Sequence, residues 1–325
     1  MQQYVPAKKS LMIFSGTVNK PLAEAISKEL NLPLGDVTIT KFANSEIYAR
    51  YAETVRGADV FLIQSISGEV NDALMELLIM ADAARRASAR SVTAVITHYG
   101  YARQDKKSAS REPITAKLVA NLITTAGVNR VITVDLHQGQ IQGFFDIPVN
   151  HLSALRMIGE YFKSLNLENV CVVSPDVGRA KAAKKLSDML DADLAIMQKG
   201  RPQHNVAEIT SIIGDVKGKT CILNDDMIDT GGTILAGARA LKAAGAVAVY
   251  VSATHGVFSR NALAKFADAD IEGLVITDTI PIDENYAQND KITVLSVAPL
   301  LAKSIANVFE GKPISDLYTD PDYTS

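Results

Sequence analysis

Ile222-Leu223-Asn224-Asp225-Asp226-Met227-Ile228-Asp229-Thr230-Gly231-Gly232-Thr233 leads from an apolar run into an amphipathic helix, and its reading sets the fold. Outward from it, a strand is predicted over Cys221 to Leu223. A helix follows with Ile234, Ala238 and Leu241 on one face and a stop at Gly245, and then a strand over Val247 to Val251 that ends in Ala253-Thr254-His255-Gly256. Short apolar strands alternating with helices specify right-handed βαβ units and a parallel sheet. The same succession occurs upstream. Arg56-Gly57-Ala58-Asp59 precedes a strand over Val60 to Ile63, a helix carrying Leu74, Leu77, Leu78, Ala81 and Ala84, and a strand over Val92 to Ile96 that ends in Thr97-His98-Tyr99-Gly100. Any two βαβ units look alike, but the shared Thr-His ending favours an internal duplication.

The chain of 325 residues is long enough for two domains. Its 47% hydrophobic and 21% charged residues are those of a self-folding globular protein. A net charge of -3 gives no global case for nucleic acid or anionic lipid as a partner, so an anion site must be local. Cys171 and Cys221 match no metal or disulfide spacing, which fits a reducing cytoplasm. No apolar run is long enough for a membrane span, and Leu11 to Phe14 is too short for a secretory signal. The halves change over near Pro148 to Ser153, and Tyr318 to Ser325 reads as a loose polar tail.

The acidic segment lies where ligands bind in open α/β sheets, beyond the carboxyl end of a strand. Gly231 and Gly232 permit close backbone approach, and amides from Thr230 to Thr233 at a helix start suit a phosphate. Asp225, Asp226 and Asp229 would repel that phosphate if they faced it, but carboxylates accept hydrogen bonds from a vicinal diol. A sugar phosphate satisfies both groups. A capping turn with solvated acids is the plainer alternative. The upstream copy has Gln64-Ser65-Ile66-Ser67-Gly68-Glu69 here and lacks the acid pair.

Tyr101-Ala102-Arg103-Gln104-Asp105-Lys106-Lys107 offers an Arg fork and lysines for phosphate oxygens, or else a solvated basic loop. Gln198-Lys199-Gly200-Arg201-Pro202 has the composition of a mobile cationic lid. Asp176, at the end of a strand, offers the oxygen ligand that Mg²⁺ prefers. His137 ends another strand, and on chemistry alone it suits a structural hydrogen bond or a phosphate contact better.

Five ordered motifs resemble the ribose-phosphate pyrophosphokinase family over nearly the whole chain. They are Lys41-Phe42-Ala43-Asn44-Ser45-Glu46, Tyr101-Ala102-Arg103-Gln104-Asp105, Asp135-Leu136-His137 with Gln140-Ile141-Gln142-Gly143-Phe144-Phe145-Asp146, Ser174-Pro175-Asp176, and Asp225 through Thr233. The resemblance implies an α/β protein of two tandem phosphoribosyltransferase-like domains, each a mainly parallel sheet flanked by helices. The first would span 1–149, joined by a C-terminal helix at 297–317, and hold nucleotide; the second would span 150–296 and hold ribose 5-phosphate.

The implied reaction transfers the β,γ-diphosphoryl group of ATP to the anomeric hydroxyl of ribose 5-phosphate. Phe42, Asn44, Ser45, Glu46, Arg103 and Gln104 are then expected to bind ATP, and His137 and Asp176 to hold Mg²⁺. Arg201, Asp225, Asp226, Asp229, Thr230, Gly231, Gly232 and Thr233 are expected to bind ribose 5-phosphate, with Lys199 and Arg201 catalytic. The family also implies a homo-oligomer, commonly a hexamer of dimers, in which the Phe42 to Glu46 loop reaches a neighbour's site.

The chain departs from the family pattern at Arg179, which follows Gly178 in place of a second glycine, and at Gly200, Gln203 and His204, where arginines are common. Two other activities share parts of this pattern. A phosphoribosyltransferase would not need the duplicated half with its Tyr-Ala-Arg-Gln-Asp loop. A non-catalytic regulatory subunit would have lost Lys199, Arg201 or the acids, and all are present.

Overall fold

The computed structural model describes residues 10–203, 206–283 and 289–317, with the side chains of 199–203, 206–210 and 316 outside that description. Backbone packing divides the chain into two units. One ends at Leu152 and takes in the chain from Ala298 onward; the other is Ser153–Val297.

The first unit is built on a five-stranded, all-parallel sheet. Its order is β1 (Leu11–Ser15), β4 (Asp59–Gln64), β5 (Ser91–Ile96), β6 (Arg130–Val134) and β7 (Val149–Leu152). β4 is buried at every position, as a central parallel strand covered on both faces must be, which is why Val60 to Ile63 reads as an unbroken apolar run. Helix α2 (Val70–Arg86) turns Ala73, Leu74, Leu77, Met80, Ala81 and Ala84 inward at helical spacing. Glu76 is also buried on α2, where it accepts from Thr17 N at 2.6 Å, Thr17 Oγ1 at 2.8 Å and Gln64 Nε2 at 2.7 Å. Those bonds tie α2 to the carboxyl ends of β1 and β4.

Helix α1 (Lys20–Leu30) has Pro21 in its first turn and ends at Asn31, whose φ of 51° is a left-handed cap. A separate antiparallel hairpin, β2 (Val37–Lys41) with β3 (Ile47–Tyr51), carries the Phe42 to Glu46 motif at its tip. α3 (Thr115–Thr125) follows β5. The last helix, α8 (Ala298–Glu310), packs against α1. It stops well short of residue 317: Gly311, at a φ of 71°, and Pro313 end it, and one turn of 3₁₀ helix follows at Ser315–Leu317. The expected tail, Tyr318 to Ser325, lies outside the described residues.

The second unit carries a seven-stranded sheet. Its order is β10 (Val206–Ile213), β9 (Asp193–Gln203), β8 (Val170–Ser174), β11 (Thr220–Ile228), β12 (Ala248–Gly256), β13 (Gly273–Thr277) and β14 (Ile292–Leu295), parallel except for β9 with β10. Alternation along β11 fills two cores. Cys221 and Leu223 face α6 (Gly232–Ala243) and α7 (Ala262–Ala267), while Ile222 joins Ile158 and Phe162 of α4 (Leu155–Ser164) and Leu186 of α5 (Ala180–Leu190).

Three expectations are corrected here. β11 runs on through Ile228, so Asp225 and Asp226 are strand residues and not part of a turn. β12 likewise extends through Thr254-His255-Gly256. The Gln198 to Pro202 stretch, expected as a lid between elements, is itself strand: it forms part of β9, with Lys199 opposite Ile209 and Gly200 opposite Glu208.

Candidate active site

The order of the second sheet reverses between β8 and β11, since the chain leaves β8 toward β9 and leaves β11 toward β12. Such a switch point opens a crevice at the carboxyl ends of the strands. Here β8 pairs with β11 only from Thr220 to Leu223, whereas β12 follows β11 to Ile228. Beyond Leu223, among the described residues, no strand pairs with β11 on the β8 side, and Asp225 and Asp226 lie in that stretch. Asp226 is buried and Asp225 partly so, and Asp226 N donates to Asp225 Oδ1 at 2.8 Å. The turn after β8 returns Arg179, whose Nε lies 3.6 Å from Asp225 Oδ1 and 3.8 Å from Asp226 Oδ1. Burial, and then the Asp226 charge, push the Asp225 carboxyl up to about 7, against the opposing pull of Arg179.

Past β11, Asp229 is half-buried and Thr230 exposed. Gly231 is the N-cap of α6 at a φ of 74°, with no side-chain cap. A Cβ on Gly231 would come within 2.6 Å of Phe266 Cε2, so this glycine serves the packing of α7 as well as the turn. At Gly232, which is exposed, the nearest atom to such a Cβ is Thr230 Oγ1 at 3.9 Å, an ordinary contact that leaves room for it. An uncapped helix start beside an open position is suited to an anion. Asp176 caps the turn after β8, its Oδ1 accepting from Arg179 N at 3.2 Å, and Ser174 Oγ donates to Asp176 O at 2.6 Å. Lys199 and Arg201 lie on β9 with their side chains outside the described residues.

In the first unit the hairpin tip is closed by Phe42 N to Glu46 O at 2.9 Å and Ser45 N to Phe42 O at 2.8 Å, with Asn44 Oδ1 accepting from Glu46 N. Phe42 is 54% exposed and stacks obliquely on Tyr48. Arg103 is exposed in the turn after β5, and Gln104 Oε1 accepts from Thr115 Oγ1 of α3 at 2.5 Å. The first turn of α2 draws these two motifs together: Asp72 pairs with Lys41 at 2.5 Å, and Asn71 hydrogen-bonds the Tyr101 hydroxyl. Sequence reasoning missed both residues, because the only signal was two polar side chains in a helix's first turn.

His137 is half-buried after β6. His151 of β7, also missed, supports that turn by accepting Leu136 N on Nε2 at 2.8 Å. The histidines of the two Thr-His strand ends are both buried: His98 follows β5, and His255 meets Thr279 Oγ1 at 2.9 Å.

Residues 11–127 match the model of the N-terminal domain of ribose phosphate pyrophosphokinase, and residues 196–319 that of the phosphoribosyl synthetase-associated domain. The chain is 52% identical over 311 residues to a ribose-phosphate pyrophosphokinase of Caldanaerobacter subterraneus subsp. tengcongensis, a span of 95% of this chain and 98% of the relative. It is 50% identical over 315 residues to that of Clostridium perfringens, covering 96% and 98%. A crystal structure of phosphoribosylpyrophosphate synthetase from Mycobacterium smegmatis superposes with a TM-score of 0.87 at 45% identity, over 93% of this chain and 99% of that one. Matched over nearly its full length by relatives at about half identity, this chain belongs to the ribose-phosphate pyrophosphokinase family.

Proposed function

We propose that this protein transfers the β,γ-diphosphoryl group of ATP to the anomeric hydroxyl of ribose 5-phosphate, giving phosphoribosyl pyrophosphate and AMP. The observation that carries this reading is the buried acid pair at the switch point beside an uncapped helix start, which presents diol acceptors next to an anion site. Asp225 and Asp226 accept the ribose hydroxyls. Asp229 through Thr233 cradle the 5-phosphate with backbone amides. In the first unit Phe42, Asn44, Ser45 and Glu46 hold the nucleotide with Arg103 and Gln104.

The anomeric oxygen attacks the β-phosphorus in line, and the bond to the bridging oxygen breaks as AMP leaves. Lys199 and Arg201 offset the charge that spreads over the transferring group. Mg²⁺, when bound, neutralises triphosphate charge. Asp176 offers the carboxylate oxygen that Mg²⁺ prefers; the part of His137, a nitrogen donor in the other unit, is supported by the family resemblance alone. Among the described residues no three acids, histidines or cysteines converge, and Mg²⁺ characteristically needs few protein ligands beside phosphates and water.

The family resemblance further supports a homo-oligomer, with the exposed Phe42 loop reaching a neighbour, and a cytoplasmic setting suits the two buried free cysteines. Among the described residues no helix is long and apolar enough to cross a membrane. ATP labelled at the β-phosphate, incubated with ribose 5-phosphate and Mg²⁺, is expected to give AMP and labelled phosphoribosyl pyrophosphate. Absence of both products overturns the reading. Lys199→Ala is expected to lower kcat by about 10²-fold or more, the usual scale for one transition-state charge, while ribose 5-phosphate affinity in equilibrium titration stays within about threefold.

A further inference from the structure

We propose that Arg179 is a positioning residue for ribose 5-phosphate, one that offsets the charge of Asp225 and Asp226 without occupying the acceptor sites the sugar needs. The inference rests on the reading of that acid pair as the sugar site. Two adjacent carboxylates on one strand, one of them 2% exposed, repel each other where little water screens them. A cation within about 4 Å offsets that repulsion, and Arg179 supplies it to both acids, at 3.6 and 3.8 Å. Those separations are too long for hydrogen bonds, and among the described residues the buried Nε of Arg179 has no hydrogen-bond partner. A guanidinium bonded in bidentate fashion would fill carboxylate lone pairs and compete with a diol. Held back, it contributes charge alone.

The standoff is built into the backbone. Arg179 N is fixed to Asp176, donating to Oδ1 at 3.2 Å and lying 3.3 Å from the carbonyl oxygen, so the turn after β8 sets how closely the guanidinium can approach β11. The burial that raises the Asp225 carboxyl toward neutrality makes the compensation matter at working pH.

Steady-state kinetics on the full chain test this with Arg179→Gln, Arg179→Met, Arg179→Lys and Asp225→Asn. Arg179→Gln is expected to raise the KM for ribose 5-phosphate about tenfold, with kcat within about threefold and the KM for ATP within about twofold. Arg179→Met provides the same readout should the Gln variant not fold. Arg179→Lys, which keeps the charge, is expected to restore the ribose 5-phosphate KM to within about threefold of wild type. The proposal is overturned by an unchanged ribose 5-phosphate KM in the neutral variants, by equal shifts for both substrates, or by a Lys variant no better than Gln. If Asp225→Asn itself leaves that KM unchanged, the sugar reading has failed, whatever Arg179 does.

Discussion

Asp225 illustrates how a binding residue costs a fold stability. Its carboxyl is raised from the ordinary 3.8 to about 7, so between those values the folded state holds a proton that the unfolded chain has released. The stabilisation from that proton is complete below pH 4 and disappears as pH rises through 7. Asp225→Asn is therefore expected to stabilise the substrate-free protein at pH 8 by about 1–3 kcal/mol and to flatten the pH 5 to 8 slope of its melting temperature, while weakening ribose 5-phosphate binding. A variant that melts lower than wild type at pH 8 would contradict this. The neighbouring glycines separate in the same way. Gly231→Ala meets both a left-handed φ and Phe266, and should cost about 2–4 kcal/mol in urea unfolding. Gly232→Ala has room, so it should keep the stability and lose only affinity for the sugar phosphate.

At the scale of elements, the sequence was most legible where burial is two-sided. The runs over Val60 to Ile63 and Val92 to Ile96, and the stripe from Leu74 to Ala84, emerge as β4, β5 and α2 because central parallel strands and core helices leave their period in plain view. It was least legible at the site. β11 continues through three polar residues, Asn224 to Asp226, because β12 goes on pairing with it, a tertiary cause with no local signature. β9 likewise crosses Gly200 and Pro202, which read locally as a loop, because β10 pairs alongside. The composition of the acid pair and the helix start was visible; Arg179 opposite them was noticed only as a departure from a pattern. Asp72 offers a prediction of the same kind. It is nearly half exposed, so its ion pair with Lys41 adds little stability, yet it holds the hairpin that carries the Phe42 motif. Asp72→Asn should leave the urea unfolding midpoint essentially unchanged and raise the KM for ATP about threefold or more, leaving that for ribose 5-phosphate unchanged. Equal effects on the two substrates would count against the hairpin as a nucleotide element.

For the whole molecule, the two units differ in how the chain builds them. The unit Ser153–Val297 is continuous and fills both faces of its sheet from its own helices, around Leu223, Ile234 and Phe266 on one side and Ile158, Phe162 and Ile222 on the other. The first unit is discontinuous, since α8 arrives from the far end of the chain to pack against α1 and buries Leu301, Ala302 and Ile305. Leu301 and Ile305 each contribute about 1.5–3 kcal/mol when fully buried, a large share of the stability of an ordinary domain. A fragment of residues 153–297 should therefore melt cooperatively by circular dichroism. Residues 10–152 alone should show a broad, low transition, sharpened and raised when 298–317 is added as a peptide. A sharp transition for 10–152 without the peptide would show that α8 is dispensable to the first unit. Because the acids, Arg179 and the start of α6 all belong to the continuous unit, the isolated 153–297 fragment should also retain measurable affinity for ribose 5-phosphate by calorimetry, and the Asp225→Asn fragment should lose it.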